Sequence, residues 1–336
     1  MTLTRLTTEA AAGGCAVRPG TGRAVVFLVL VAVAALVPLL GPSLALHGTG
    51  EAATPGVGGV ALLRGVLFAA LCVPLGELSV DRLARRLPDA PAERPRSWAV
   101  FAAVAGFAAA LGLASVVSTG NLVPRALADV DVGGLYRSRD GRLALLEVNA
   151  FLLAGLSARS RRPAAQVWPL AAVAVAEALR AHPAPEHDPL AGSALTLVHL
   201  TCAALWVGGL LHTLRVLRHR RGRAAGAAAL LGLYARVAAV LLAAITATGV
   251  WSSLRRMPAG TILNQLTTTA YGRTLLAKVV LVAVVCVLAL WARVRLRRAA
   301  DPLTACVPAR AEVAVLGTVV AVSGVLTALP LPIRWT

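Results

Sequence analysis

Apolar residues run along this chain in long stretches, broken by short arginine-rich or proline-rich segments. A helix needs about 20 apolar residues to cross a hydrocarbon core. On that measure the pattern predicts nine spans: Ala24–Leu40, Val57–Val80, Trp98–Ser118, Leu143–Ser157, Ala164–Ala181, Leu190–Leu214, Val237–Ser253, Thr274–Val294 and Ala311–Leu329. The small apolar residues Ala224–Leu233 follow a basic cluster and read as an interfacial lead-in to the seventh span. Backbone polar groups have no water to bond in hydrocarbon, so runs of this kind must be helical. The expected fold is an all-α polytopic membrane protein of about nine transmembrane helices.

Composition agrees, with 58% hydrophobic residues, 14% charged and a mean hydropathy of +0.76. A formal charge of +18 would suggest nucleic acid in a soluble chain. Here the arginines lie between spans, where they set orientation, so the expected partner is the lipid bilayer and not nucleic acid. A cytoplasmic N-terminus puts the Arg82–Arg96, Arg159–Arg162, Arg215–Arg223 and Arg293–Arg298 groups on one side. The positive-inside rule is then satisfied with the C-terminus outside. The first run is long, contains Pro38 and lacks a clean small-x-small cleavage site, so it is expected to be a retained anchor.

Laying residues 57–181 over 190–329 reveals an internal repeat. Gly141-Arg142 opens the fourth span as Gly272-Arg273 opens the eighth, and an arginine cluster follows the third member of each half. Both halves begin outside, which makes the repeat parallel. The expected organisation is residues 1–56 as N-terminus, anchor helix and outer loop, 57–181 as a first four-helix repeat, and 182–336 as a second. Superposition also aligns Glu147 with Lys278, the chain's single lysine. An ion pair between the halves is one reading; two side chains snorkelling to the outer surface is the other.

The stretch LTLVHLTCAALWVGGLL, residues 195–211, sets His199 inside the sixth span. A titratable ring in hydrocarbon needs a partner or a purpose. The same stretch, together with Tyr234-Ala235-Arg236, ITATGV, AYGRTLLAKVVLVAVV and Trp291-Ala292-Arg293, resembles the copper resistance protein D (CopD) family over about residues 190–330. The first half follows the family plan more loosely. The resemblance implies a multi-pass protein of a bacterial plasma membrane, with copper as its cargo or ligand. Two roles are implied: moving copper across the membrane, or serving as a non-transporting subunit that docks an extracytoplasmic copper-binding protein or assists cytochrome oxidase assembly.

Copper chemistry then gives the residues candidate roles. Imidazole suits both copper oxidation states and thiolate suits Cu(I). His199 and Cys202, at i and i+3, lie on one helix side. His182 and His187 sit in HPAPEHD, residues 182–188, a proline-broken loop before the sixth span that also carries two carboxylates. His47 and Met257 are weaker outer candidates. Each has a plain alternative: Cys72, Cys202 and Cys286 as packing, His199 as a hydrogen-bond donor to another helix, His212 and His219 as solvated interface residues. Only Met1 and Met257 are methionines, which speaks against a thioether ladder.

Other chemistries lack support. The chain has no Walker loop, dinucleotide fingerprint, nucleophile elbow or HExxH, and no catalytic residues are expected. With only His199 securely inside a span, paired haem ligation is not indicated. The five cysteines show no CxxC spacing, which points to neither a zinc site nor a disulfide framework.

Overall fold

The structure is a computed structural model and describes residues 21–87, 95–183, 186, 188–219, 224–257, 259–298 and 306–331. In chain order its α-helices are α1 (Thr21–Leu46), α2 (Val57–Ala84), α3 (Ala99–Thr119), α4 (Val132–Arg137), α5 (Arg139–Arg159), α6 (Val167–Arg180), α7 (Pro189–His219), α8 (Ala224–Arg256), α9 (Ile262–Thr268), α10 (Ala270–Arg298) and α11 (Cys306–Ala328). Eight of them, α1, α2, α3, α5, α7, α8, α10 and α11, are long and apolar enough to cross a membrane. This is the all-α polytopic class that the hydrophobic pattern requires.

The fifth predicted span differs. Instead of one helix over Ala164–Ala181, a 3-10 turn at Pro163–Gln166 leads into α6, which has 14 residues. Proline at the start of the turn offers no backbone N–H, so the helix is set late. At about 1.5 Å per residue α6 is roughly 21 Å long, short of a full bilayer core. The predicted lead-in, by contrast, is continuous with the seventh span in α8, a helix of 33 residues.

Large apolar side chains point outward along these helices, the reverse of a water-soluble protein. Val279, Val280, Val287 and Leu290 of α10 are exposed, as are Leu36, Leu40 and Leu44 of α1. In lipid this outward face costs nothing. The buried core instead runs along α2 and α7, through Leu67, Leu71 and Val80 on one and Trp206 and Leu210 on the other.

Those two central helices approach backbone to backbone. A Cβ on Gly208 would stand 1.8 Å from the Cys72 carbonyl oxygen, and one on Gly76 would stand 2.1 Å from the Gly208 carbonyl carbon. Only glycine permits this contact, and small residues at membrane helix crossings serve this purpose.

The corners before α5 and α10 are built alike. α4 precedes α5 and α9 precedes α10, two short helices that the hydrophobic pattern did not reveal. The Ser138 hydroxyl accepts from the Gly141 amide at 3.1 Å, and the Thr269 hydroxyl accepts from the Gly272 amide at 3.0 Å. A Cβ on Gly141 would meet the Leu135 carbonyl oxygen at 2.3 Å; one on Gly272 would meet the Gln265 carbonyl oxygen at 2.0 Å. The same capping chemistry and the same steric demand thus stand behind the two Gly-Arg pairs. The halves differ elsewhere: α3 packs along α5, whereas α8 and α10 barely touch.

Candidate functional site: a polar cavity inside the helix bundle

A cavity of about 430 Å³ opens among α2, α6, α7, α8, α10 and α11. It lies toward the end of the bundle where α2, α7 and α10 begin, which is the predicted outer end. The face of α7 that lines it is the stripe Thr196, His199, Leu200, Ala203, Ala204 and Val207, the spacing of one side of a helix. The charged lining comes from Arg64 of α2, Glu177 and Arg180 of α6, Arg256 of α8 and Lys278 of α10, and Cys72 of α2 adds a thiol.

His199 is held by its neighbour helix. Its Nδ1 lies 3.0 Å from the Thr248 hydroxyl, and that hydroxyl donates its own proton to the Ala244 carbonyl at 2.7 Å. A threonine hydroxyl has one proton. When the hydroxyl proton points to the Ala244 carbonyl or to that of Ile245 at 3.1 Å, Nδ1–H is the donor in the His199 contact and the ring's lone pair is on Nε2. This is the arrangement of a ligating histidine oriented through its second nitrogen.

The ion pairs beside it form one network. Arg64 bonds Glu177 at 2.9 Å, and Arg180 lies 3.5 Å from Glu177 and 3.0 Å from Glu147, which is fully buried. Glu147 therefore pairs with Arg180 of the adjacent α6, and no ion pair joins it to Lys278 among the described residues. Of the two readings of Glu147 and Lys278, the ion pair between the halves is absent among the described residues, where a guanidinium on the next helix meets Glu147 instead.

The remaining candidates scatter. Cys202 sits off the lining stripe of α7 and packs against the apolar cluster around Trp206 and Leu210. His182 is buried at 2% exposure with both ring nitrogens engaged, Nδ1–H donating to Glu186 at 2.6 Å and Nε2 accepting from Thr196 at 2.8 Å. Burial lowers its pKa below the ordinary histidine value, against the raising effect of Glu186. It pins the loop onto α7 and presents no free nitrogen. His187 lies outside the described residues. His47 is exposed near the end of α1, and its carbonyl accepts from Arg273 at 2.6 Å. Met257 is fully buried and does not line the cavity.

The opposite end of the bundle carries its own polar cluster. Glu77 accepts from Arg215 at 2.6 Å, from Ser97 at 2.5 Å and from the Trp98 amide at 2.8 Å, while Arg215 stacks on the Trp98 ring at 3.8 Å and donates to the Arg96 carbonyl. His212 lies here, 3.3 Å from Asp81 and 4% exposed, not solvated as the sequence suggests. A second cavity of about 220 Å³ lies between α7, α8, α10 and α11 on this side, lined by Trp206, Tyr234, Cys286 and Glu312 among others. Both cavities are lined by α7, Val207 facing one and Trp206 the other.

Sequence reasoning missed Glu177, Arg180 and Arg256 as lining groups. Glu177 and Arg180 are spaced i, i+3, so their shared face was a readable signal; Arg256 had none, because a charge at a helix end is normally solvated. No group of three or more His, Cys, Asp or Glu able to hold a metal ion exists among the described residues.

A family model, Copper resistance protein D (CopD), matches residues 228–326. That segment spans most of α8 together with α9, α10 and nearly all of α11, and so contains Thr248, Arg256, Lys278 and Glu312, while His199 and α7 precede it. No curated protein and no solved structure matches the chain.

Proposed function

We propose that this chain is a copper-handling membrane protein that moves copper ions across a bacterial plasma membrane, built from an anchor helix and two parallel four-helix halves divided near residue 181. The family match to residues 228–326 supplies the metal. The observation that carries the transport reading is the pair of cavities toward opposite ends of the bundle, both lined in part by α7. Each cavity has at least one donor suited to copper: His199 and Cys72 in the first, Cys286 and Glu312 in the second.

In this reading the His199 Nε2 lone pair receives copper from the outer end, with Thr248 fixing the ring. Copper uptake into proteoliposomes of purified protein, under reducing and oxidising conditions, tests it. Uptake above empty liposomes that falls in His199→Ala is expected. Equal uptake by empty and protein-bearing vesicles removes transport.

One observation favours a second reading. The described residues hold no three-donor metal group, which suits a subunit that docks an extracytoplasmic copper-binding protein or assists cytochrome oxidase assembly without conducting copper itself. Pull-down of such a partner from the same membrane, with no uptake activity, is its signature.

A further inference from the structure

The electrostatics of the first cavity do not match those of a simple cation binding site. Its charged lining holds four cationic side chains, Arg64, Arg180, Arg256 and Lys278, against one carboxylate, Glu177. Adding Glu147 behind Arg180 brings the carboxylates to two, and both are taken up by Arg64 and Arg180. Arg256 meets neutral oxygens: it donates to the Tyr271 hydroxyl at 3.0 Å and to the Ala181 carbonyl at 3.4 Å. Lys278 has no ion pair among the described residues and lies about 12 Å along α10 from its start, at roughly 1.5 Å per residue.

The network is also incompletely hydrogen-bonded: Arg64 Nε, Arg180 Nε and Arg180 Nη2 have no hydrogen-bond partner, and neither do the two carboxylate oxygens of Glu147 behind them. Unanswered positive charge at membrane depth is costly, and the ligand that relieves it must bring both negative charge and acceptor oxygens. Guanidinium groups match oxyanions in shape and charge, and an ammonium adds a point charge. A volume of about 430 Å³ accommodates a small oxyanion with its waters.

We infer that this cavity binds an oxyanion, a phosphate or a carboxylate, held between Arg256 and Lys278 with Arg64 and Arg180 at its edge. The same chemistry is offered by a free anion and by the phosphate of an anionic lipid headgroup. The inference goes beyond copper handling and does not rest on it.

The test uses the full chain without copper. In nanodiscs of phosphatidylcholine alone, equilibrium dialysis with radiolabelled inorganic phosphate and with citrate measures the free-anion arm. In nanodiscs that include phosphatidylglycerol, native mass spectrometry of retained lipid measures the headgroup arm. Binding is expected to weaken by about tenfold or more in Arg256→Gln and in Lys278→Met, and to persist in Arg256→Lys, in Lys278→Arg and in the surface control Arg137→Gln. Residue-dependent binding of free phosphate or citrate assigns the site to a soluble oxyanion; residue-dependent retention of phosphatidylglycerol alone assigns it to a headgroup. Should neither arm show binding that depends on Arg256 or Lys278, the inference fails, while copper handling stays open. The charge-keeping variants protect the result against misfolding, since they preserve the side-chain bulk and charge that the bundle packs against.

Discussion

The Nδ1 of His199 stands 3.0 Å from the Thr248 hydroxyl, a contact between α7 and α8 across 49 residues of chain. With the Thr248 proton directed to the Ala244 or Ile245 carbonyl, the contact leaves Nε2 as the lone-pair nitrogen.

Thr248→Val removes the acceptor while keeping the shape. If copper binds at Nε2, uptake or copper affinity falls by about 10–100-fold, the usual effect of losing a partner that orients a ligating histidine. Thr248→Ser restores it. Equal activity in all three proteins, measured in the same proteoliposomes, would show that His199 does not act through this bond.

Glu147 is buried beside Arg180, so the informative exchange is between these two. Glu147→Gln leaves Arg180 without one of its carboxylates and is expected to lower the unfolding temperature. The double variant Glu147→Arg with Arg180→Glu recovers much of that loss, whereas exchanging Glu147 with Lys278 recovers none. Thermal unfolding of the purified variants in one detergent reads both outcomes; rescue by the Lys278 exchange contradicts the pairing described here.

Gly208 tolerates no side chain. A methyl group there collides with the Cys72 carbonyl oxygen at 1.8 Å, so Gly208→Ala forces α2 and α7 apart at a cost of about 1–3 kcal/mol. If α2 and α7 rock about this point, transport falls further than stability does. A Gly208→Ala protein with unchanged melting temperature refutes the close approach.

His182 gives the loop before α7 a pH dependence. Its folded pKa lies below the unfolded value, so the unfolded chain binds more protons between the two and stability rises with pH there. The contribution is complete above the ordinary histidine value of about 6.5 and is lost as pH falls toward the depressed one. The protection of the Ala181 and His182 amides, measured as exchange relative to the intrinsic rate at each pH, is expected to fall on acidification from pH 7 to pH 5. In His182→Asn that acid sensitivity is expected to disappear.

Much of the architecture was legible in the hydrophobic pattern, and the reason is physical. Hydrocarbon offers no hydrogen-bond partner, so each long apolar run had to close its backbone bonds internally and become a helix. The exceptions are instructive. The Ala164–Ala181 run looked like a full span, but the Arg159–Arg162 cluster and Pro163 shorten it to α6. The helices α4 and α9 were invisible because six or seven mixed residues carry no membrane-scale signal. The site was less legible. His199 announced itself as a polar group in an apolar run, yet Cys202, one turn away, faces an apolar cluster, and His182 spends both nitrogens on Glu186 and Thr196.

By itself, then, the sequence determined the helical class, most of the spans, the two matching Gly-Arg corners and the presence of charges that hydrocarbon alone cannot hold. Each of these follows from local chemistry, the apolar length of a run or the cap at a helix start. Only the tertiary structure decided which charges meet. Glu147 takes Arg180, Arg64 takes Glu177, and Arg256 and Lys278 both line the cavity, because partner choice depends on the angle and depth at which helices cross. The glycine contact of α2 with α7 brings those two central helices together, and no spacing within either helix encodes where the other will lie.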